Sequence, residues 1–411
     1  MKKYIVLLLA FCVTPLILVG QSLDSLLQMA AKNNLELKAL HKTYEAALTK
    51  GEQVNHLPNP TINAGVFVLP PETRLGPQWV KVGVSQMFPW MGTLDAREDL
   101  MLTMAKSKFE QIMAVKLELF YKVKNAYYSL YEIENSQKII AKNKDLLKAL
   151  ERLSLVKVEH GKGSMTDVMR VKLKVQELEQ KLKVWENKRK KPVTMLNSLL
   201  NRPLDTPIVL IESLTEMAAM PYLQDSIMKE IAITHPIIKK IKIGKEVAEK
   251  NITINRLAAK PSFGVGLDYV MVTKRTDADP KGNGRDIVMP KASINVPLYR
   301  QQYVAKEEEE RLNIAALNYQ EEAMLQMYAA QIAQAFIDYD EAKLNYQLYQ
   351  ELRATSVATI ELLQTYYSVT AGKFEELISL QMDLIQYDLN ELKAIVKSYR
   401  AKATIELYII E

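Results

Sequence analysis

Four segments of the chain alternate apolar and polar residues with a period of two. In the first, Ile62, Ala64, Val66 and Val68 share one face, opposite Asn63, Gly65 and Phe67. In the second, Val80, Val82 and Val84 oppose Lys81, Gly83 and Ser85. The third sets Phe263, Val265, Leu267, Tyr269 and Met271 against Gly264, Gly266 and Asp268. The fourth sets Val288, Ala292, Ile294 and Val296 against Lys291, Ser293 and Asn295. This is the period of a strand. Each alternation lasts about ten residues, the length of a tilted strand that crosses a bilayer. The apolar faces suit lipid, and the Lys, Asp, Ser and Gly faces suit a wet lumen. Pro290 within the fourth removes one ladder donor.

The long stretches around these strands have a different period. From Pro89 to His160 nothing breaks a helix except Gly92 near its start. Roughly 70 residues at ~1.5 Å each predict a rod of order 100 Å. Its seam recurs every seventh residue, in Ile112, Leu119, Ala126, Ile133, Ile140 and Leu147. The returning helix carries Val168, Val171, Val175, Leu178, Leu182 and Trp185 in a fuller heptad pattern. Pro192 falls on that same stripe and predicts a kink or break. In the second half, Ala316, Ala323, Ala330, Ile337 and Leu344 recur every seventh position, a seam of mostly smaller residues.

The two halves are copies of one plan. Pro60 and Gly65 match Pro261 and Gly266 at an offset of 201 residues. Ser85-Gln86-Met87-Phe88-Pro89 matches Ser293-Ile294-Asn295-Val296-Pro297 at 208, so seven residues have been added in the intervening loop. Gly163 to Met169 matches Gly372 to Ile378 at 209. Solenoid repeats are far shorter than such units. Each unit, about 21–205 and 222–411, reads as helix, strand, loop, strand and a long helical hairpin, within a single domain spanning 21–411.

Composition agrees with a mainly α chain carrying a small β part. Of 411 residues 48% are hydrophobic and 25% charged, and the low count of 14 Gly and 16 Pro suits long helices. Residues 1–20 read as a signal peptide: Lys2 and Lys3, an apolar run from Tyr4 to Val19, then Gly20 as a small residue before a cut. Cys12, the only cysteine, follows the bulky Phe11 and so does not suit acylation, and cleavage leaves a mature chain without thiols. The formal charge of +6 falls to +4 without Lys2 and Lys3, too small and too scattered to point to nucleic acid. No later apolar run reaches spanning length without a charge, so membrane contact requires a β-barrel or a surface.

Four strands cannot close a barrel alone, because two edges would stay bare in lipid. Rotational copies supply closure. Two chains give eight strands, a barrel filled by side chains, whereas three give a 12-stranded transmembrane β-barrel with room for a lumen. The long hairpins of a trimer would continue it as an α-barrel.

These residues, in order and twice over, resemble the TolC-type outer-membrane efflux proteins along essentially the whole mature chain. The marks are the paired Pro-led strands, the passage Val84-Ser85-Gln86-Met87-Phe88-Pro89-Trp90, the segment Gly161 to Val168, and Leu196-Asn197-Ser198-Leu199-Leu200-Asn201-Arg202-Pro203. The family favours Gly where this chain has Asn201, and Asn also tolerates the left-handed conformation that such a stop needs. The Pro-Asn-Pro opening and the Gln-Met-Phe-Pro-Trp passage are similar to the heavy-metal-efflux branch. The resemblance implies a homotrimer in the outer membrane of a Gram-negative bacterium, surrounded by lipid and extended into the periplasm. It further implies an exit duct that docks to a periplasmic adaptor and an inner-membrane pump of the resistance-nodulation-division or another type.

The resemblance also directs attention to the hairpin turns. Asp167 matches an acidic ring that helps close the periplasmic mouth, and Glu376 takes its place in the second unit. The bland reading is that both are acidic residues favouring a helix start. Gly161, Lys162, Gly163, Thr370, Ala371, Gly372 and Lys373 are, by the same resemblance, candidate adaptor contacts. His41, His56, His160 and His235 have no paired spacing, so no metal site is expected. Glu307 to Glu310 and Lys188 to Lys191 read as solvated helix faces. No phosphate loop, nucleophile elbow or acid–base constellation is present, so neither cofactor nor enzymatic activity is expected. The competing reading is a non-channel periplasmic coiled-coil scaffold whose strands form a soluble sheet.

Overall fold

The computed structural model describes residues 22–214, 216–370 and 372–409. The leader expected over residues 1–20 therefore lies outside the described residues. The chain forms two compact units, each assembled from discontinuous segments. One takes the segment ending at Leu35 together with Leu117–Tyr222 and Ile332–Leu407. The other takes Glu36–Lys116, Leu223–Gln331 and the residues from Tyr408 onward.

The order is α1 (Leu23–Asn33), α2 (Leu35–Val54), β1 (Thr61–Val66), β2 (Glu72–Thr73), β3 (Gly76–Phe88), α3 (Thr93–Glu159), α4 (Met165–Leu199), α5 (Gln224–Thr234), α6 (Pro236–Ala258), β4 (Ser262–Val272), β5 (Ile287–Asn295), α7 (Gln301–Thr370) and α8 (Phe374–Glu406). Each half thus runs helices, strands and helical hairpin, as the repeat predicts. Among the described residues no helix is long and apolar enough to cross a membrane.

The first unit is built on the hairpin helices. Ile140 and Leu147 of α3, Val171, Val175 and Leu178 of α4, Ile360 and Tyr367 of α7, and Phe374, Leu377, Ile378 and Ile385 of α8 form one buried cluster. Fully burying an aliphatic side chain of this kind contributes about 1.5–3 kcal/mol. Among these apolar layers sits a polar pair: Gln381 donates to Asn143 Oδ1 at 3.0 Å, and Asn143 donates to Ile139 O at 2.9 Å. A satisfied amide pair in a helical seam favours one register over its neighbours.

Two sequence expectations for the helices need correction. Of the kink or break expected at Pro192, the break does not occur: helix α4 runs through it to Leu199. Burial of Pro192, Val193 and Leu196 holds the last turns, and buried Asn197 ties them to the following loop by donating to Leu204 O and Thr206 O, each at 2.9 Å. The second correction concerns the seam of α7. Within one chain Tyr328, Ala335 and Ala342 are buried at heptad spacing, while Ala316, Ala323 and Ala330 are exposed, with Ile337 at 59% and Leu344 at 68% exposure. The helix has two apolar stripes about 200° apart, and a heptad count alone does not say which one a single chain covers.

Helix α4 ends as Asn201 predicts. Asn201 has φ 51, its N–H reaches Ser198 O at 3.1 Å, and the Arg202 N–H reaches Asn197 O at 3.1 Å. These are the paired bonds of a Schellman stop. The loop that follows is tied to the first unit through Tyr131, whose hydroxyl accepts from Leu214 N at 2.8 Å, and through Ser398 Oγ, which accepts from Ala218 N at 2.9 Å.

The second unit holds the sheet, ordered β1-β3-β4-β5 with β2 paired to β3. All pairings are antiparallel. The central β3–β4 pairing joins the two halves of the sequence, with Val84 opposite Leu267 and Gly83 opposite Asp268. β1 and β5 are the edges, and Pro290 lies on the β5 edge strand, where a missing ladder donor is tolerated.

Candidate functional site

Two places stand out: the faces of the sheet in the second unit and the hairpin turns in the first. Pleating puts Ile62, Val66, Val82, Val84, Val265, Leu267, Tyr269, Val288 and Ile294 on one face, as the alternation predicts. These side chains are exposed, with Ile62 at 73%, Val265 at 55% and Ile294 at 59%. A soluble monomer rarely leaves a contiguous apolar surface of this extent uncovered.

The opposite face carries Asn63, Lys81, Ser85, Asp268, Lys291 and Ser293 beside the apolar Val270, Ile287 and Met289, and its charges are paired. Asp268 on β4 is 2% exposed, with Oδ2 2.8 Å from Lys81 Nζ on β3 and Oδ1 2.7 Å from Lys291 Nζ on β5. Gly83, directly opposite Asp268, leaves the space that the carboxylate fills: a Cβ there would come within 2.2 Å of Asp268 Oδ1. The alternation assigned Lys81, Asp268 and Lys291 to polar faces one strand at a time. Their meeting depends on the β3–β4 and β4–β5 registers, which link residues far apart in sequence.

Both turns of the first unit lie beside one another. Arg170 Nη1 of α4 is 2.9 Å from Glu375 Oε2 of α8, and Tyr367 packs 4.6 Å from Phe374. Lys157 donates to Tyr367 O and, at 3.1 Å, to Ser368 O, while its Nζ sits 4.4 Å above the Tyr367 ring. The sequence reading missed Lys157, Arg170, Tyr367 and Glu375. Only the docking of one hairpin against the other gives them a shared role.

The first turn closes through Gly161 at φ 69, with bonds from Gly161 N to Val158 O at 2.9 Å and from Lys162 N to Lys157 O at 2.8 Å. Lys162 is exposed, and Gly163 packs so tightly that a Cβ would meet Lys157 Cβ at 3.0 Å. Ser164 then caps α4 by accepting from Thr166 N at 3.2 Å. At the position equivalent to Ser164 the second turn has Lys373, in the left-handed region at φ 59 and without a side-chain cap bond. Thr370 ends α7, and its Oγ1 accepts from Gly372 N at 3.3 Å. Ala371 lies outside the described residues.

Asp167 and Glu376 are equivalent in sequence but not in surroundings. Asp167 is half-buried: burial raises its carboxyl above the ordinary carboxylate value, Arg170 pulls it down and Glu375 pushes it up. Glu376 is exposed and lies 3.4 Å from Lys373 Nζ.

No family model and no curated protein matches the chain. Solved structures do. The outer-membrane channel OprN aligns over 94% of this chain and 89% of its own, at 14% identity and a TM-score of 0.74. The channel CusC aligns over 94% of this chain and 92% of its own, at 13% identity and a TM-score of 0.74. The open state of the Neisseria gonorrhoeae MtrE outer-membrane channel aligns over 94% of this chain and 88% of its own, at 17% identity and a TM-score of 0.72. Likeness at this level of identity is likeness of fold, and it spans both units.

Proposed function

We propose that this chain, which has the fold of TolC-type outer-membrane channels, is the exit duct of a tripartite efflux or secretion system. The observation that carries the proposal is the sheet. One face is apolar and exposed across its width, the other holds paired charges, and both edges are open. A lipid-facing and a water-facing surface on a sheet that needs copies to close is what a transmembrane barrel requires. In this reading three chains form a 12-stranded barrel in the outer membrane. Their hairpins form a periplasmic α-barrel whose turns meet an adaptor and, through it, an inner-membrane pump. Asp167 and Glu376 form an acidic ring at the periplasmic mouth, and Gly161 to Gly163 and Thr370 to Lys373 contact the adaptor. Transport is passive and needs no cofactor, with energy supplied by the pump.

The faces provide the test. Wild-type protein should fractionate with the outer membrane and need detergent for release. Val84→Arg puts a charge on the lipid face and should destabilise by roughly 2–4 kcal/mol near the bilayer midplane. Ser85→Arg puts the same charge into the lumen and should assemble normally. Release of wild type without detergent, or equal membrane yield and thermal stability for the two variants, overturns the reading in favour of a periplasmic scaffold.

A further inference from the structure

Strands β1, β3, β4 and β5 contain three charged side chains in all, Lys81, Asp268 and Lys291, and all three meet in one cluster on the polar face. The carboxylate lies at the bottom at 2% exposure, and the two lysines are the outward members at 41% and 35%. One carboxylate shared by two ammonium groups leaves one surplus positive charge per chain. An unpaired lysine would move on its four-carbon stem. Here each ammonium is anchored within 2.8 Å of a fixed oxygen, so the surplus charge has a defined position.

The glycines beneath make this arrangement possible. Gly83 gives the Asp268 carboxylate its place, and Gly266 lies so close under Lys291 that a Cβ would meet Lys291 Cε at 2.8 Å. The cluster thus lies flat on the sheet and does not project far from it. The charge is held where it can act on a passing solute without filling the space the solute needs.

We infer that Lys81 and Lys291, positioned by Asp268, form a selectivity element that favours anionic solutes in the barrel. The inference rests on the reading of the polar face as a lumen. Rotational symmetry puts one cluster per chain at the same height, so assembly turns an isolated surplus charge into a ring. A ring inside a Debye length of the passing solute is incompletely screened. The competing role is mechanical, a staple of opposite charges pinning three adjacent strands. The two roles predict different things for charge changes of opposite sign.

The experiment is the reversal potential of single channels in a planar bilayer under a potassium chloride gradient, for wild type, Lys81→Gln, Lys291→Gln and Asp268→Asn. The hairpin turns are unchanged in all four, so their own charge preference cancels in the comparison. Neutralising either lysine removes the surplus charge and should lower the anion-to-cation permeability ratio by about twofold. Asp268→Asn adds a surplus charge and should move the ratio the other way. A staple loses strength in all three variants and moves the ratio in neither direction. Each lysine variant keeps one lysine–aspartate pair, so the two decide the matter even if Asp268→Asn fails to assemble. Conducting variants with the wild-type ratio overturn the selectivity element alone, whereas wild-type protein without unitary conductance overturns the channel reading along with it.

Discussion

His235 shows how one side chain can serve two elements. It lies between α5 and α6, and its Nδ1 accepts from Ile237 N at 3.3 Å, capping α6. An acceptor nitrogen must be unprotonated, and burial enforces this, pushing the ring's pKa down to about 4. Tyr328 and Tyr408 pack against the ring with centroids 4.7 Å and 6.0 Å away. A histidine whose folded pKa is depressed contributes fully above its unfolded value near 6.5. That contribution is lost as pH falls from there towards about 4, because the unfolded chain takes up the proton first. It amounts to about 3 kcal/mol. His235→Asn keeps a capping acceptor without the titration. The variant should therefore lose less thermal stability than wild type between pH 7 and pH 4. Parallel melting curves over that window would show the histidine to be uninvolved.

At the scale of elements, the hairpins were readable from sequence in their existence and in their stops. Gly161 and Asn201 close α3 and α4 through local backbone geometry, which nearby residues dictate. Lys373 was not readable, since a lysine at φ 59 is held by its surroundings and not by preference. The acidic turns mix the two cases. Asp167 and Glu376 follow from the repeat, and Lys373 is a basic neighbour of Glu376 already in the sequence, whereas Arg170 and Glu375 meet only through the docking of α8 on α4. If the hairpin tips of three chains converge as proposed, six such carboxylates near one axis would bind divalent cations. Millimolar divalent cation on the periplasmic side should block current through wild type, and Asp167→Ala with Glu376→Ala should abolish the block. Asp167 lacks an ion pair as close as that of Glu376, so Asp167→Ala alone should remove the larger share. If both acids serve only the helix starts, hairpin stability falls while the block persists, and the ring is refuted.

The whole molecule exposes what one chain cannot cover. The sheet edges at β1 and β5 are open, one face of the sheet is apolar and exposed, and a second stripe on α7 passes through Ala330, Ile337 and Leu344 uncovered. Small residues on that stripe permit close helix approach, which suits a neighbouring copy. Detergent-extracted protein should be a trimer by light scattering and should dissociate on boiling. Leu344→Lys should weaken the trimer with helical content unchanged. A monodisperse wild-type monomer would defeat closure by copies, and an unaffected Leu344→Lys trimer would remove the stripe from the interface.

The sequence by itself determined the strands, their two faces, the long hairpins, the duplication and the helix stops. Each depends on a period or a turn preference that acts within a few residues. Tertiary structure decided which α7 stripe is buried in the chain, because a helix with two apolar faces satisfies either packing equally until a neighbour is present. It also decided that α4 passes through Pro192, where burial of Pro192 itself and of Val193 and Leu196 just beyond it outweighs one lost backbone bond. Above all it brought Lys81, Asp268 and Lys291 together, since strand register between distant segments is settled by pairing across the sheet and leaves no mark in the local pattern.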